Sequence, residues 1–228
     1  MSGKHLLQVK NLSFGYDRGH MLFDKASLTI HEDDQIGLWA DNGTGKTTLL
    51  RIITGLQKAD AMELYLDGQP VTSEEGFRKV RRQFGFVLQN AEDQLFFPEV
   101  IDDVMFGPLN LGMKESEARE AALEALARLG ISQLSGADSF HLSGGQKRLV
   151  SIASILAMRP IGLLLDEPTT GLDVKARSRL AEVLKSLTGP RLIVSHDMGF
   201  LTAVSNRLVS IEQGHFVPLN FPDGEHFS

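Results

Sequence analysis

The sequence contains no cysteine, which excludes thiol catalysis, cysteine-type zinc sites and disulfide staples together. That composition fits a reducing compartment. Long hydrophobic runs are missing too. The greasiest stretch, Leu149 to Met158, is interrupted by Ser151 and Ser154 and stops at Arg159-Pro160, well short of the ~20 apolar residues that span a bilayer. The amino terminus, MSGKHLLQVKN, has neither an apolar core of signal-peptide length nor a small-residue cleavage site. Work at a membrane would therefore require a partner to hold the chain there. Positive charge is not in excess: 23 Lys and Arg stand against 29 Asp and Glu, a formal charge of −6. An acidic balance argues against a nucleic-acid groove as the main business of the chain. His5, His20, His31, His141, His215 and His226 show no ligand spacing, so no transition-metal site is assigned. There is no internal repeat, charge block or low-complexity tract.

What is present is ordinary for a folded protein. With 228 residues, 42 % apolar and 23 % charged, the chain fits one domain or two intimately joined subdomains around a sizeable core. Strands are expected at 6–16 and 25–30, with a Tyr-Asp-Arg-Gly turn region between them, and at 35–39, 62–66 and 86–88. A Gly-rich turn and a helix over 46–56 follow the third of these. From Asn90 to Gly112 the chain reads as irregular, with Pro98 and Pro108 as breakers. Residues 114–129 predict an amphipathic helix with Ala118, Ala122, Leu126 and Leu129 on one face, stopped by Gly130. A second helix is expected over 146–158, then strands at 161–165, 191–195 and 207–211 and a helix over 174–187. The pattern predicts an α/β domain with a mostly helical insert near 89–159.

Three segments carry chemistry. Ala40-Asp41-Asn42-Gly43-Thr44-Gly45-Lys46-Thr47-Thr48 lies between a strand and a helix. A phosphate loop needs inward backbone N–H groups, which glycine permits, and a helix N-terminus aimed at the anion. Lys46 would then reach the β- and γ-phosphates and Thr47 would hold Mg²⁺. The alternative is an ordinary Gly-rich strand-to-helix turn. Leu163-Leu164-Leu165-Asp166-Glu167 is a buried strand ending in two carboxylates, placed where ligands of parallel sheets bind. An acid pair at a helix start explains it equally well. Leu142-Ser143-Gly144-Gly145-Gln146 leads into a helix, with Ser143 as N-cap and two glycines exposing donors to an anion. By itself it is also a plain capped helix start.

Taken in order, these segments resemble the nucleotide-binding subunit of ATP-binding cassette (ABC) transporters, over essentially the whole chain. Lys46 and Thr47 match Walker A, Asp166 and Glu167 match Walker B, and LSGGQ at 142–146 is the family signature. Gln89 matches the Q-loop, Thr170-Gly171-Leu172-Asp173 the D-loop, Ser195-His196-Asp197 the switch histidine, and Tyr16 the aromatic that stacks on adenine. The resemblance implies an α/β P-loop NTPase of ABC-ATPase type: a RecA-like core with an antiparallel β subdomain (1–88 and 160–228) and an inserted helical subdomain (89–159). It implies ATP and Mg²⁺ as cofactors, with Thr47, Gln89 and Asp166 on the metal and Glu167, His196, Lys46 and Gln89 as catalytic residues. Nucleotide contacts would come from Tyr16, Asn42, Gly43, Thr44, Gly45, Lys46, Thr47, Thr48, Ser143, Gly144, Gly145, Gln146 and Asp173. Two copies, identical or paralogous, would meet head to tail around two ATPs. Ala40 replaces the first glycine of the strict loop and Asp41 replaces the usual proline; both are expected to weaken ATPase activity.

Gln89 to Phe96, followed by Asp102-Asp103-Val104-Met105-Phe106-Gly107-Pro108, is similar to ATPases of the energy-coupling-factor (ECF) branch. That branch includes cobalt and nickel importers and vitamin importers such as those for biotin. There the segment forms a short helix and groove that receive the transmembrane T component, and a membrane S component binds the substrate. Glu92, Asp93, Asp102 and Asp103 would meet basic side chains of that partner, and Leu95, Phe96, Phe97 and Phe106 would add an apolar patch. Cobalt or nickel is the expected cargo and the cytoplasmic face of the membrane the expected location. Many relatives carry a further C-terminal helical segment that supports the dimer. With the sequence ending at Ser228, pairing is expected to lean on ATP and the membrane partner. A chromosome-maintenance ATPase would insert a long coiled coil between Lys46 and Asp166, and a translation factor would carry two cassettes. A non-hydrolysing regulatory cassette is the remaining alternative, through Ala40.

Overall fold

The computed structural model describes residues 5–17 and 20–222. The Arg18-Gly19 part of the expected first turn and His226 lie outside the described residues. The chain separates into two compact units. One contains the residues up to Phe86, Gly162–Asp166 and the chain from Thr188 onward; the other contains Val87–Ile161 and Glu167–Leu187.

In the first unit, a four-stranded antiparallel sheet has the order β2-β1-β4-β5. Its strands are β1 (His5–Asp17), β2 (His20–His31), β4 (Ala61–Leu66) and β5 (Gln69–Pro70). Leu7, Val9, Leu12 and Phe14 of β1 are buried with Phe23, Leu28 and Ile30 of β2. A six-stranded sheet has the order β10-β9-β3-β8-β7-β6. It comprises β3 (Gln35–Trp39), β6 (Phe84–Val87), β7 (Gly162–Asp166), β8 (Arg191–Ser195), β9 (Arg207–Glu212) and β10 (His215–Leu219). β3 runs parallel to both β8 and β9, and β7 parallel to β8. Every residue of β7 and β8 is buried, which is why both read as continuous apolar runs rather than alternating ones. Helix α1 (Lys46–Ile53) packs against β7, and α7 (Met198–Val204) packs against β3. Gly37 allows the latter contact: a Cβ there would lie 2.8 Å from Leu208 Cδ2 and from Ser205 Oγ.

The second unit is helical. Helices α3 (Val100–Asn110), α4 (Glu115–Arg128) and α5 (Gly144–Ala157) pack on one another, and α6 (Val174–Ser186) completes the set. Ala118, Ala121, Ala122, Ala125 and Leu126 form the buried face of α4, and Gly130 at φ 70° follows its end. Small residues on that face let neighbouring helices approach closely. Gly107 does the same for α3, where a Cβ would fall 2.6 Å from Met158 Sδ.

Several expectations change. The segment 90–112 is ordered: a 3-10 turn at Ala91–Gln94 precedes α3, and Pro108 sits inside the helix. Proline forfeits one helix hydrogen bond, here the one an N–H at 108 would have made to Val104 O, while its ring is buried. The resemblance, which implied a short helix here, was the better guide. β6 begins at Phe84 rather than 86, α5 begins at Gly144, and α1 ends at Ile53, before the turn at Gly55 with φ 74°. Helix α2 (Glu74–Gln83), α7 and β10 were not anticipated. α2 buries only Val80 fully, so it has no apolar period to read; its legible signals are Ser73 as N-cap, acids in the first turn and Arg81-Arg82 in the last.

The acidic cluster also resolves differently. Asp103 is buried and does not face a partner: its carboxylate accepts from Phe96 N (2.6 Å), Phe97 N (3.0 Å) and Ser139 Oγ (2.7 Å). Leu95 is buried as well, whereas Phe96 and Phe106 are exposed, with the Phe106 ring tilted at 50° to that of Phe97 and 5.4 Å from it. Asp103 thus shapes the loop that displays the phenylalanines. Asp103→Ala strands three donors and is expected to cost about 3 kcal/mol, read as a lowered midpoint in denaturant unfolding; Asp102→Ala, on the exposed side of α3, is expected to change it by less than about 0.5 kcal/mol.

Candidate functional site

Register in the six-stranded sheet decides what emerges where. Trp39 pairs with Ser195 and Asp166 with Val194. The carboxyl ends of β3, β8 and β7 are therefore level, on strands about 4.8 Å apart. The Ala40–Gly45 loop, Asp166 and His196 leave the sheet at that single edge, where parallel sheets receive ligands.

The loop after β3 has the backbone of an anion cradle. Gly43 and Gly45 adopt φ 84° and 100°, conformations that L side chains resist. Gly45 has a second reason to lack a side chain, since a Cβ would meet Phe23 Cζ at 2.9 Å. No side chain caps α1 and its first turn carries no acid, which leaves backbone donors and the positive helix end for an anion. Thr44 Oγ1 braces the loop by donating to Asp41 O at 2.8 Å. Lys46 is buried, and its ammonium donates to Ala40 O (2.6 Å) and Asp41 O (2.9 Å). Positions 40 and 41 thus contribute carbonyl oxygens, which any residue supplies. Neither has a positive φ, so Ala40 and Asp41 impose no backbone strain on the loop. Asn42 is exposed, Thr47 half-buried and Thr48 buried. Tyr16 OH lies 3.0 Å from Thr48 Oγ1, and its ring, 67 % exposed, stands edge-on to Phe14 at 5.0 Å. An exposed ring tethered to the phosphate-loop helix is a ready surface for a base.

Asp166 is fully buried at the end of β7, and Glu167 after it is buried at φ 47°. A non-glycine residue there costs on the order of 1–2 kcal/mol. Such strain persists where the surroundings over-determine the residue, and it clusters at functional sites. Thr47 and Asp166 would bring a hydroxyl and a carboxylate to a cation. An all-oxygen set suits a hard ion such as Mg²⁺, which typically takes one or two protein carboxylates and completes its shell with phosphate and water. Among the described residues no group of three or more His, Asp or Glu is arranged to hold a metal unaided. His196 is exposed just past β8.

In the second unit, Ser143 caps α5: its Oγ accepts from Gln146 N (3.3 Å), and its own N–H donates to Gln146 Oε1 (2.9 Å). Gln146 therefore serves the helix start with its side chain. Gly144 is open on the side where a Cβ would point, but a Cβ on Gly145 would fall 2.7 Å from Gly171 O. The Thr170–Asp173 turn lies directly against the signature loop, and Asp173 caps α6 through Ala176 N at 2.8 Å. Gln89 is exposed, while its carbonyl and that of Leu88 accept from the guanidinium of Arg148. Arg148 was missed in the sequence; the available signal was one cation in the otherwise apolar run that follows it in α5.

Gly145→Ala is expected to destabilise by about 1–3 kcal/mol through overpacking, whereas Gly144→Ala, with room for its methyl, is expected to be neutral or stabilising by up to about 1 kcal/mol. Thermal denaturation of the two variants checks this ordering.

The ABC transporter family pattern matches residues 23–170. A protein of Brucella suis named as an ABC transporter ATP-binding protein is 45 % identical, covering 94 % of this chain and 89 % of its own. The energy-coupling factor transporter ATP-binding protein of Methanothermobacter thermautotrophicus is 35 % identical (95 % and 71 % covered). The cobalt import ATP-binding protein of Rhodobacter capsulatus is 40 % identical (92 % and 76 %). Among solved structures, cbiO1 from Clostridium perfringens, part of the ABC transporter complex cbiONQ, superposes with TM-score 0.81 at 32 % identity, covering 94 % of this chain and 87 % of that one. A dimeric ATP-binding cassette in a post-hydrolysis state with ADP and phosphate gives TM-score 0.84 at 27 % identity (94 % and 99 %). The level strand ends, the glycine cradle and these relatives lead to one conclusion: the chain belongs to the ABC transporter family, as an ATP-hydrolysing, ATP-binding subunit of the energy-coupling-factor type that resembles cobalt importer ATPases.

Proposed function

We propose that the chain powers an ECF-type importer of cobalt or nickel ions, working as a head-to-tail dimer of ATPase subunits on the cytoplasmic face of the membrane. The observation that carries the reading is the common edge where the phosphate loop, Asp166 and His196 emerge. The relative named as a cobalt import ATP-binding protein supports the cargo. No helix among the described residues is long and apolar enough to cross a membrane, so recruitment falls to partners. The exposed Phe96 and Phe106 suit the transmembrane T component, docking along Gln89–Phe106, with a membrane S component delivering the ion.

Tyr16 stacks on adenine, and the Gly43–Thr48 backbone and side chains, with Asn42, surround the phosphates. Lys46 exchanges its two loop carbonyls for β- and γ-phosphate oxygens, trading neutral acceptors for charged ones. Thr47, Gln89 and Asp166 would hold Mg²⁺, which would neutralise phosphate charge when bound. Glu167 takes a proton from water as its oxygen bonds to the γ-phosphorus, the bond to the β–γ bridging oxygen breaks, and ADP and phosphate leave. His196 and Lys46 stabilise charge on the transferring group. Ser143, Gly144 and Gly145 of the opposite copy close over the γ-phosphate, with Gln146 shaping their helix start and Asp173 the adjoining turn.

Glu167→Gln keeps size and removes the base, so turnover is expected to fall about 10²–10⁴-fold while ATP binding persists; Lys46→Ala is expected to lose ATP binding. A steady-state assay with an equilibrium nucleotide titration reads both, and parental turnover in Glu167→Gln would overturn the assignment. In vesicles bearing the chain with its membrane partners, ATP-dependent uptake is expected for labelled Co²⁺ or Ni²⁺; uptake of biotin alone would overturn the cargo.

A further inference from the structure

The segment that carries Gln89 is held by side chains of its own unit. Leu88 N donates to Gln94 Oε1 at 3.0 Å. On the other side of the same backbone, Arg148 Nη1 donates to Leu88 O at 2.6 Å, and Nη2 donates to Gln89 O. Two arms of one planar fork thus take two consecutive carbonyls. Arg148 is 3 % exposed, so its guanidinium is shielded from water on the helix side, and a guanidinium, unlike an ammonium, presents paired donors in fixed geometry. One residue earlier on α5, Lys147 Nζ pairs with Glu92 Oε1 at 2.6 Å, and that bond holds the Glu92 carboxyl below the usual carboxylate range. The Ala91–Gln94 turn also packs on α5.

Arg148 lies in the second turn of α5, just after the Ser143 cap and the Gly144-Gly145 pair. A displacement of the Leu88–Gln94 segment must either break two charge-assisted bonds or carry the signature helix with it. We propose that Arg148 is the positioning residue for Gln89, locking its backbone to the signature helix so that Gln89 and Ser143–Gly145 move as one body. Phe96 stands two residues past Gln94, so a partner bearing on Phe96 bears on the same body. The catalytic consequence rests on the reading of Gln89 given above; the mechanical one does not.

Arg148→Lys keeps the charge but shortens the side chain and removes the planar pair of donors. In this variant, amide hydrogen exchange over residues 88–95 is expected to rise at least tenfold, with residues 191–195 of β8 unchanged as the control for folding. Turnover is expected to fall about tenfold with KM for ATP within twofold. In a Gln89→Ala background the same change is expected to add nothing, because the group it positions is gone. Unchanged exchange over 88–95 would overturn the clasp, and losses that multiply in the double variant would reduce Arg148 to a structural role. Parental turnover in Gln89→Ala alone would overturn the role of Gln89 and the catalytic consequence; the exchange result would still decide the clasp.

Discussion

Strands β3, β7 and β8 are too apolar to face water, and a parallel sheet buries them only side by side, with connections returning over its faces. Their shared register follows from that burial. Because Trp39 and Asp166 sit level against the end of β8, the residues just beyond all three strands are delivered to one edge. A slip of a single residue would move every side chain to the opposite face of the sheet and undo its packing, so the core that stabilises the sheet also holds the site in place. Gly37 and Gly162 enforce the arrangement by letting neighbours approach where a Cβ would collide with Leu208 and Phe84.

The site is made largely of backbone. Gly43 and Gly45 turn the loop, α1 offers uncapped donors, and Lys46 is stored on two carbonyl oxygens of its own loop. This explains why departures from the family pattern at positions 40 and 41 leave the cradle intact: what Lys46 uses there is the carbonyl. Glu167 differs, being a buried carboxylate on a left-handed backbone, where position rather than flexibility is conserved by the fold.

In the helical unit, charged side chains fix the loops that flank the packed helices. Asp103 gathers Phe96, Phe97 and Ser139, Arg148 gathers Leu88 and Gln89, and Lys147 meets Glu92. Hydrogen bonds of this kind are directional, so they specify loop geometry that non-directional apolar packing would leave loose. The exposed phenylalanines and the signature loop are thereby held by one set of bonds.

Much of this was legible in the residues. Long apolar runs marked β7 and β8, glycine spacing marked the loop after β3, and Ser143 marked the cap of α5, because each is a local property of backbone and periodicity. The family resemblance rested on the same local motifs. Other features had no local signal. α2 buries Val80 without a repeating stripe, Pro108 is built into α3 with its ring buried, and Asp103 and Arg148 are charged residues with partners far along the chain. Charge alone suggests solvent, and only tertiary contact shows that a buried carboxylate and a buried guanidinium have found their donors and acceptors. The sequence by itself determined which chemistry is available; the tertiary structure decided which acids face outward, which glycines are obligatory and which side chains hold the site still, since those depend on neighbours that no local pattern names.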